Sequence, residues 1–197
     1  EMLLCLVGSE MCIRDRPLIY PSPAHWSMKG IRGVLAQRNL REVQGIVEKA
    51  LIEYVDERSE DPAMKYAKDI LLAGGKRFRP VLGCLAYEAA GATLDDKMLR
   101  TALSAEIIHT ATLVHDDIYD QAKLRRGRPT LHSQHGIAHG IISGDYLFTL
   151  GYWLGAEQGP EVIKVLAETC IGLANGELLQ FDHIGDLGTS PEDYYRI

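Results

Sequence analysis

Three carboxylates precede a loop that carries three arginines. In a helix, residues four positions apart lie on one face, so Asp116 and Asp120 share a face and Asp117 lies beside them. Carboxylate oxygens suit Mg²⁺, which binds through one or two carboxylates together with substrate phosphates. The planar guanidinium groups of the loop suit phosphate oxygens. These loop residues are Arg125, Arg126 and Arg128. The stretch therefore predicts a site for a diphosphate held with a metal.

Each of these patterns has a simpler interpretation when it is taken alone. A D-D-x-x-D string is usually a solvated or helix-capping cluster, and an Arg-Arg-Gly-Arg run is usually a surface turn. However, residues 107–114 are too apolar for a solvated helix, and His109 and Thr112 fall on the face of Asp116. Charges at the end of a buried helix are costly unless opposite charge meets them. The combination favours a binding site.

A second group of cations lies in the segment LAGGKRFRP, residues 72–80. The pair Gly74-Gly75 is typical of a helix end, and Pro80 suits the first turn of the next helix. Three cations stand between them, at Lys76, Arg77 and Arg79. Backbone N–H groups and these cations form a candidate anion site. The alternative is an ordinary helix–loop–helix joint with solvated cations.

The segments GGKRFRP, HTATLVHDDIYD and LRRGRPT, in this order, resemble the trans-isoprenyl diphosphate synthase (polyprenyl synthetase) family, from about Val43 to the end of the chain. The resemblance implies an all-α fold, with antiparallel helices around a deep central cavity. It also implies a Mg²⁺-dependent enzyme that joins isopentenyl diphosphate to an allylic prenyl diphosphate.

The resemblance assigns roles to individual residues. Asp116 and Asp120, supported by Asp117, would hold the Mg²⁺ ions that bind the allylic diphosphate, and Arg125 would contact the same diphosphate and take part in catalysis with them. A second set would hold the diphosphate of isopentenyl diphosphate: Gly75, Lys76, Arg79, His109 and Arg126. Two further features resemble polar cavity residues of the family, the pair Gly144-Asp145 and the pair Glu177 and Gln180. For Gly144-Asp145 the alternative is a close helix crossing.

Product length is the next expectation drawn from the resemblance. In the family, bulky side chains one turn before the first aspartate-rich motif form the floor of the cavity, and here those positions are Ala111 and Thr112. Small residues there, and no insertion within DDIYD, resemble medium- and long-chain synthases. The alternative is that both residues serve helix packing and another helix supplies the floor.

The family continues into a Lys-Thr pair and a second aspartate-rich motif, and neither occurs in this sequence. We therefore expect the N-terminal portion of a longer protein, with little or no catalysis by the 197 residues alone. One alternative is a subunit of a heteromeric prenyl diphosphate synthase, completed by a partner chain. Another is an HD-type metal phosphohydrolase built on His115 and Asp116, for which His109 is too close on the same helix to be the upstream ligand.

Composition sets the remaining expectations. A net charge of −6 argues against a nucleic-acid partner, so the local basic clusters belong to a site. The four cysteines form no C-x-x-C pair, which favours the cytoplasm. The apolar run at residues 2–7 is too short for a transmembrane helix. We expect residues 1–27 to be irregular or non-native and residues 28–197 to form the helical domain, and the resemblance favours a homodimer.

Apolar periodicity predicts where the helices lie. We expect helices at residues 29–59, 63–73, 80–90, 95–120, 137–154 and 160–182, and no strand. The first or the fifth of these helices would supply the dimer interface. His132, His135 and His139 follow the arginine loop at spacings that suit one helix face. They form an alternative metal site, although no carboxylate accompanies them at ligand spacing.

Overall fold

The computed structural model describes residues 39–197. Their regular secondary structure consists of helices and one β-hairpin of two-residue strands. The elements are α1 Leu40–Glu57, α2 Met64–Leu71, α3 Phe78–Ala89, α4 Asp96–Tyr119, β1 Leu124–Arg125, β2 Arg128–Pro129, α5 Leu131–His135, α6 Ile137–Ala156, α7 Pro160–Asp182 and α8 Pro191–Arg196. The predicted all-α fold is confirmed. The expectations for residues 1–27, for Cys5 and Cys12 and for a helix start at residue 29 lie outside the described residues.

Helix α1 begins at a capping box. The Asn39 side chain accepts from the backbone N–H of Glu42, and the Glu42 carboxylate accepts from the backbone N–H of Asn39, both at 3.0 Å. These bonds satisfy donors that the first turn of a helix leaves without partners. One face of α1 then carries Val43, Val47 and Leu51 into the core. This face supports the helix that carries the site.

Helix α4 lies at the centre of the fold. Its start is fixed by Asp95, whose side chain accepts from the backbone N–H of Met98 at 2.8 Å. Ile107, Ile108 and Ala111 are fully buried. The prediction that this helix is buried through most of its length is therefore confirmed, and its last turn carries the aspartates.

Helix α6 crosses α4 closely because glycines face it. A Cβ atom at Gly151 would lie 2.5 Å from Cγ1 of Ile108, and one at Gly144 would overlap the imidazole of His115. The alternative interpretation of Gly144 as a helix-crossing residue therefore matches the structure. The adjacent Asp145 has a side chain that is 67% exposed and lies 3.6 Å from His115 Nε2. Tight contact with α6 fixes α4 in position.

The arginine loop forms the hairpin that the sequence did not predict. Arg125 pairs with Arg128, and the two turn residues, Arg126 at φ 52° and Gly127 at φ 76°, both have positive φ. Positive φ at both central residues is typical of a type I′ turn, which matches the twist of paired strands. Two-residue strands are too short to produce the alternation that identifies strands in a sequence. Because the chain reverses at this turn, the side chains of Arg125 and Arg126 reach different parts of the structure.

The other helix boundaries lie close to the predicted ones. Helix α7 spans the predicted residues 160–182, and α2 and α3 each differ by two residues or fewer at either end. The stretch from His132 to His139 is divided by Gly136, which has a φ of 92° and separates α5 from α6. Within residues 39–197, no helix combines the length and the apolar character needed to cross a membrane.

Candidate diphosphate site

All five residues expected to hold the second diphosphate line one cavity of about 440 Å³. They come from three separate parts of the chain: the loop before α3 with the first turn of α3, the middle of α4 and the hairpin turn. They are Gly75, Lys76, Arg79, His109 and Arg126. The fold thus gathers three cationic side chains and one imidazole around a single space, as an anion site requires.

The electrostatic state of His109 reflects its cationic surroundings. The pKa of His109 is lowered from 6.5 to about 4, first by burial and then by the positive charges of Arg79, Arg126 and Arg125. The imidazole is therefore neutral near pH 7, when it is able to donate one hydrogen bond. Burial also lowers the pKa of Arg79. An anion in this cavity would relieve the repulsion among these groups.

Arg126 joins the hairpin to the glycine loop. One terminal nitrogen of its guanidinium donates to the backbone carbonyl of Gly74 at 2.6 Å. A Cβ atom at Gly75 would lie 2.9 Å from the same guanidinium, so the absence of a side chain allows this approach. Gln44 donates to the carbonyl of Gly75 at 3.3 Å from the other side. The loop is thereby held between α1 and the hairpin.

Arg77 differs from the other two cations of the loop. It is only 4% exposed and bonds to Glu48 and Glu106, whereas Lys76 is exposed. Arg77 also lines the cavity, but its charge is already met by two carboxylates, so a direct role for it in an anion site stays a prediction. Sequence reasoning missed Glu106 as its partner. A glutamate within the apolar run of residues 102–108 was the available signal.

A second cavity, of about 370 Å³, lies between α2, the last turns of α4 and the hairpin. It shares His109 and Arg126 with the first cavity. It is also lined by Asp117, which is 4% exposed, and by Arg125, whose Nε donates to Asp117 Oδ1 at 2.8 Å. The two spaces therefore meet at the imidazole of His109, the guanidinium groups of Arg126 and Arg77 and the carboxylate of Glu106.

Asp116 has different surroundings from Asp117. Its Oδ1 accepts from the hydroxyl of Tyr119 at 2.5 Å, and the ring of Tyr119 lies 5.5 Å from that of Phe181 on α7. The pKa of Tyr119 is raised by burial and by the negative charges of Asp116 and Glu177. The face of α4 that carries Asp116 is thus directed toward α7. Sequence reasoning did not identify Tyr119.

The predicted polar residues of α7 lie in this region. Gln180 donates from its side chain to Glu177 Oε1 at 3.4 Å, so the predicted shared face of the pair is confirmed. Glu177 is half-buried near Tyr119. Direct contact of this pair with a diphosphate stays a prediction.

The three aspartates do not form one metal-binding group. Within residues 39–197, no three His, Cys, Asp or Glu side chains are arranged to hold a metal ion. Asp117 is committed to Arg125, whereas Asp116 and Asp120 share a helix face and Asp120 keeps helical backbone angles at the end of α4. A pair of carboxylates fits Mg²⁺ when phosphate oxygens and water complete the coordination. The donor set of Asp116 and Asp120 therefore fits this metal.

The alternative metal site at three histidines is not assembled. The rings of His135 and His139 lie 6.2 Å apart on different helices, and both contact the ring of Tyr66. His132 Nδ1 instead lies 3.3 Å from the hydroxyl of Thr130. Because the helix breaks at Gly136, the spacing that suggested a common face does not apply. This hypothesis is wrong.

His115 and Asp116, which the phosphohydrolase alternative would use together, also have separate partners. His115 Nε2 lies 3.3 Å from the backbone carbonyl of Ile141 on α6. Asp116 is instead bonded to Tyr119. The two side chains therefore belong to different surroundings and do not form a joint metal site.

The two residues connected with product length are placed differently. Ala111 is fully buried in the hydrophobic core. Thr112 is half-buried, and its hydroxyl donates to the backbone carbonyl of His109 at 2.7 Å. Neither residue lines the two cavities described above. Their role in product length stays a prediction.

Comparisons with known proteins agree with this geometry. Residues 61–197 match the family model for polyprenyl synthetase, a start later than the expected Val43. Octaprenyl diphosphate synthase of Escherichia coli (strain K12) is 36% identical over 129 residues, covering 65% of this chain and 40% of that protein. Heptaprenyl diphosphate synthase component 2 of Geobacillus stearothermophilus is 42% identical over 120 residues, covering 60% of this chain and 37% of that protein.

A solved structure gives the same result for the fold. Decaprenyl diphosphate synthase from Rhodobacter capsulatus superimposes with a TM-score of 0.72 and 31% identity, covering 80% of this chain and 50% of that one. The chain spans half or less of the length of these three proteins. The motifs, the helical fold and the extent of the family match lead to one conclusion: the chain belongs to the polyprenyl synthetase family.

Proposed function

We propose that this chain forms the diphosphate-binding part of a Mg²⁺-dependent trans-prenyltransferase. The enzyme would condense isopentenyl diphosphate with an allylic prenyl diphosphate and release inorganic diphosphate. The observation that carries the proposal is the cavity at which Lys76, Arg79, His109 and Arg126 meet, lined by the helix that carries Asp116 two turns after His109. The names of the relatives, which are prenyl diphosphate synthases, support the same chemistry.

Two diphosphate positions follow from this arrangement. Lys76, Arg79 and Arg126 would bind the diphosphate of isopentenyl diphosphate, and neutral His109 would donate a hydrogen bond to it. Arg125 would bind the allylic diphosphate, and Asp117 would orient Arg125 through the 2.8 Å bond. Asp117 thus serves the site by holding a guanidinium.

Asp116 and Asp120 would hold Mg²⁺ together with oxygens of the allylic diphosphate. The chemistry expected of such a metal is neutralisation of negative charge on the leaving diphosphate. Arg125 would add to this stabilisation of developing charge. The allylic C–O bond then breaks, the double bond of isopentenyl diphosphate attacks the allylic carbon, and a proton is lost from the new chain. Apolar helix walls would keep water from the carbocation.

Further features of the proposal concern product and assembly. Small Ala111 and half-buried Thr112 favour medium or long products.

We propose a homodimer formed through α6, because Ile142 and Trp153 are 63% and 62% exposed and lie eleven residues apart on one helix face. The 197 residues alone would have little or no catalytic activity. The cysteine pattern favours a cytoplasmic enzyme.

The experiment uses the uninterrupted reading frame that contains this sequence. The purified protein is incubated with Mg²⁺, radiolabelled isopentenyl diphosphate and each of several allylic primers, and the products are sized by chromatography. We expect prenyl products that disappear when Mg²⁺ is chelated and fall by at least about 100-fold in Asp116→Ala, because loss of a charge-stabilising group costs several kcal/mol of transition-state energy.

The matched control is Asp56→Ala, which removes an exposed carboxylate of α1 that lines neither cavity. It should leave the elongation rate unchanged. Elongation that is equally strong in Asp116→Ala and the wild type would contradict the metal assignment. A complete absence of elongation with every primer would contradict the proposed activity.

A second candidate is a subunit of a two-component prenyl diphosphate synthase. It is favoured by the relative that is named component 2 of heptaprenyl diphosphate synthase. In this case elongation would appear only after a second, different chain is added. A purified single chain that makes prenyl products without any partner would exclude it.

A further inference from the structure

Arg77 is a buried arginine with three partners, two carboxylates and one backbone carbonyl. Its Nε donates to Glu48 at 2.8 Å, one terminal nitrogen donates to Glu106 at 3.1 Å, and the other donates to the carbonyl of Leu71 at 2.6 Å and to Glu48 at 3.2 Å. The side chain is 3% exposed. These bonds raise the pKa of Arg77 against the opposing effect of burial. The charge is therefore permanent and fully partnered.

The three partners belong to three different helices. Glu48 lies on α1, Leu71 is the last residue of α2, and Glu106 lies within α4. Arg77 itself caps the start of α3. One guanidinium therefore connects the four helices that surround the glycine loop. A lysine could not reproduce this arrangement, because its single ammonium lacks the planar fork that bonds in several directions.

The backbone at Arg77 is also unusual. Its φ of 47° lies in the left-handed region, which a residue with a side chain rarely adopts. The hydrogen bonds of the Arg77 side chain hold the backbone in this conformation. Lys76, Arg77 and Arg79 all line the cavity, but the Arg77 guanidinium is bonded to two carboxylates, so Lys76 and Arg79 supply the charge available to an anion. The direction of the loop thus depends on the anchoring of Arg77.

Glu106 connects this cluster to the cavities. It lines both of them, together with His109, which lies three residues later on α4. Its negative charge also acts on Arg79, where it partly opposes the lowering of the pKa. The carboxylate therefore anchors Arg77 and moderates the positive potential at the same time.

We propose that Glu48, Arg77 and Glu106 form a positioning cluster that sets the geometry of the Lys76 and Arg79 diphosphate site. This inference rests on the proposed function and extends it, because it assigns a role to the arginine of the motif whose charge is already met by two carboxylates. Although Arg77 lines both cavities, its guanidinium nitrogens are bonded to Glu48, Glu106 and Leu71, so it acts through Lys76 and Arg79. The cluster holds the loop before the ligand arrives, so that little binding energy is lost in ordering it.

The test measures binding of inorganic pyrophosphate to the whole chain without metal, by isothermal titration calorimetry. We expect Arg77→Lys to weaken binding about tenfold, which corresponds to about 1.4 kcal/mol, while circular dichroism and cooperative urea unfolding show a folded protein. Glu106→Gln, which removes the charge but keeps a hydrogen-bond acceptor, should weaken binding by a smaller factor, because loss of this charge also raises the positive potential of the cavity. Lys76→Ala reports on the anion site itself, and Lys49→Ala, an exposed lysine of α1, is its matched control.

A second measurement separates positioning from general loss of structure. In elongation assays of the full reading frame, Arg77→Lys should raise KM for isopentenyl diphosphate and leave KM for the allylic primer unchanged. If Arg77→Lys does not fold, Glu48→Gln takes its place, because Glu48 has a side chain that is 35% exposed and tolerates neutralisation.

The outcomes are distinct. Pyrophosphate binding that depends on Lys76 and is unchanged in the Arg77, Glu106 and Glu48 variants would overturn the positioning role alone. Equal rises in both KM values would also overturn it. Failure of the wild-type chain to bind pyrophosphate would overturn the proposed diphosphate site and the positioning role with it.

Discussion

Arg125 donates from Nε to Asp117 Oδ1 at 2.8 Å, and this bond ties the hairpin to the last turn of α4. The carboxylate is 6% exposed and the guanidinium 32% exposed. An acidic residue from the aspartate motif and an arginine from the next motif therefore act as one unit. The pair explains how a buried carboxylate is tolerated at this helix end.

Removal of Arg125 should destabilise the fold. Arg125→Ala leaves Asp117 buried without its charged partner, and we expect a loss of about 1–3 kcal/mol in the free energy of unfolding, measured by urea denaturation. Arg128→Ala, which removes an exposed arginine of the same hairpin, is the control and should change stability by less than about 0.5 kcal/mol. Equal losses in the two variants would show that the 2.8 Å pair adds nothing.

His109 should make stability depend on pH. Its pKa is about 4 in the folded chain and near 6.5 when unfolded, so between these values the unfolded state binds a proton that the folded state does not. The contribution is fully present above pH 6.5 and is lost as pH falls toward 4, by an amount on the order of 2 kcal/mol. Urea unfolding across this range, compared with His109→Gln, measures it.

The same histidine should report on ligand binding. Pyrophosphate in the cavity would offset the charges of Arg79 and Arg126, so the pKa of His109 should rise when it binds. Titration of the imidazole by NMR, with and without pyrophosphate, measures this change. His183, which lines neither cavity, is the internal control. An identical His109 titration in both conditions would contradict the site.

Alanine substitution should have opposite effects on stability at two glycines, one at the close crossing of α4 and α6 and one on α7 away from it. Gly144→Ala would bring a methyl group into the ring of His115, and we expect a loss of about 1–3 kcal/mol. Gly172→Ala, in the interior of α7 with no atom within 4 Å of its Cβ position, should stabilise the chain by up to about 1 kcal/mol. Thermal unfolding of both variants distinguishes close packing from helix propensity, and a neutral Gly144→Ala would argue against the crossing.

Product length should respond at Thr112. Thr112→Phe places a larger side chain on the half-buried face of Asp116, and we expect shorter prenyl products from the full reading frame. Ala111→Phe would instead overpack a fully buried position and cost about 1–3 kcal/mol of stability. Products are sized by chromatography and stability is followed by urea unfolding. Unchanged products in a folded Thr112→Phe variant would contradict the role of this position.

Dimer formation should depend on the exposed face of α6. Ile142→Glu places a charge on this apolar face, and we expect the dimer to dissociate in sedimentation experiments. Ile52→Glu on α1, where the wild-type side chain is 42% exposed, is the matched control and also tests the alternative interface. Dissociation by Ile52→Glu alone would assign the interface to α1.

Local signals in the sequence were sufficient to predict most of the helices. Apolar periodicity, the cap at Asp95 and the glycines at helix ends are properties of neighbouring residues, so α4 and α7 could be predicted to within a residue or two. The types and spacing of Lys76 and Arg79 indicated a candidate anion site, whereas the grouping of His109 and Arg126 with them came from the resemblance to the family.

Tertiary structure decided how residues of the same charge within one motif differ in their burial and bonding partners. Lys76 faces the cavity while Arg77 is buried, because Glu48 and Glu106, each 29 positions away along the chain, meet the Arg77 guanidinium. Asp117 and Asp116 are adjacent, yet one bonds to Arg125 and the other to Tyr119. The sequence by itself determined which charges are present and how the helices carry them. Burial and partners from distant segments determined which charges are neutralised and which remain for a ligand, because charge pairing depends on distances that only the packed fold establishes.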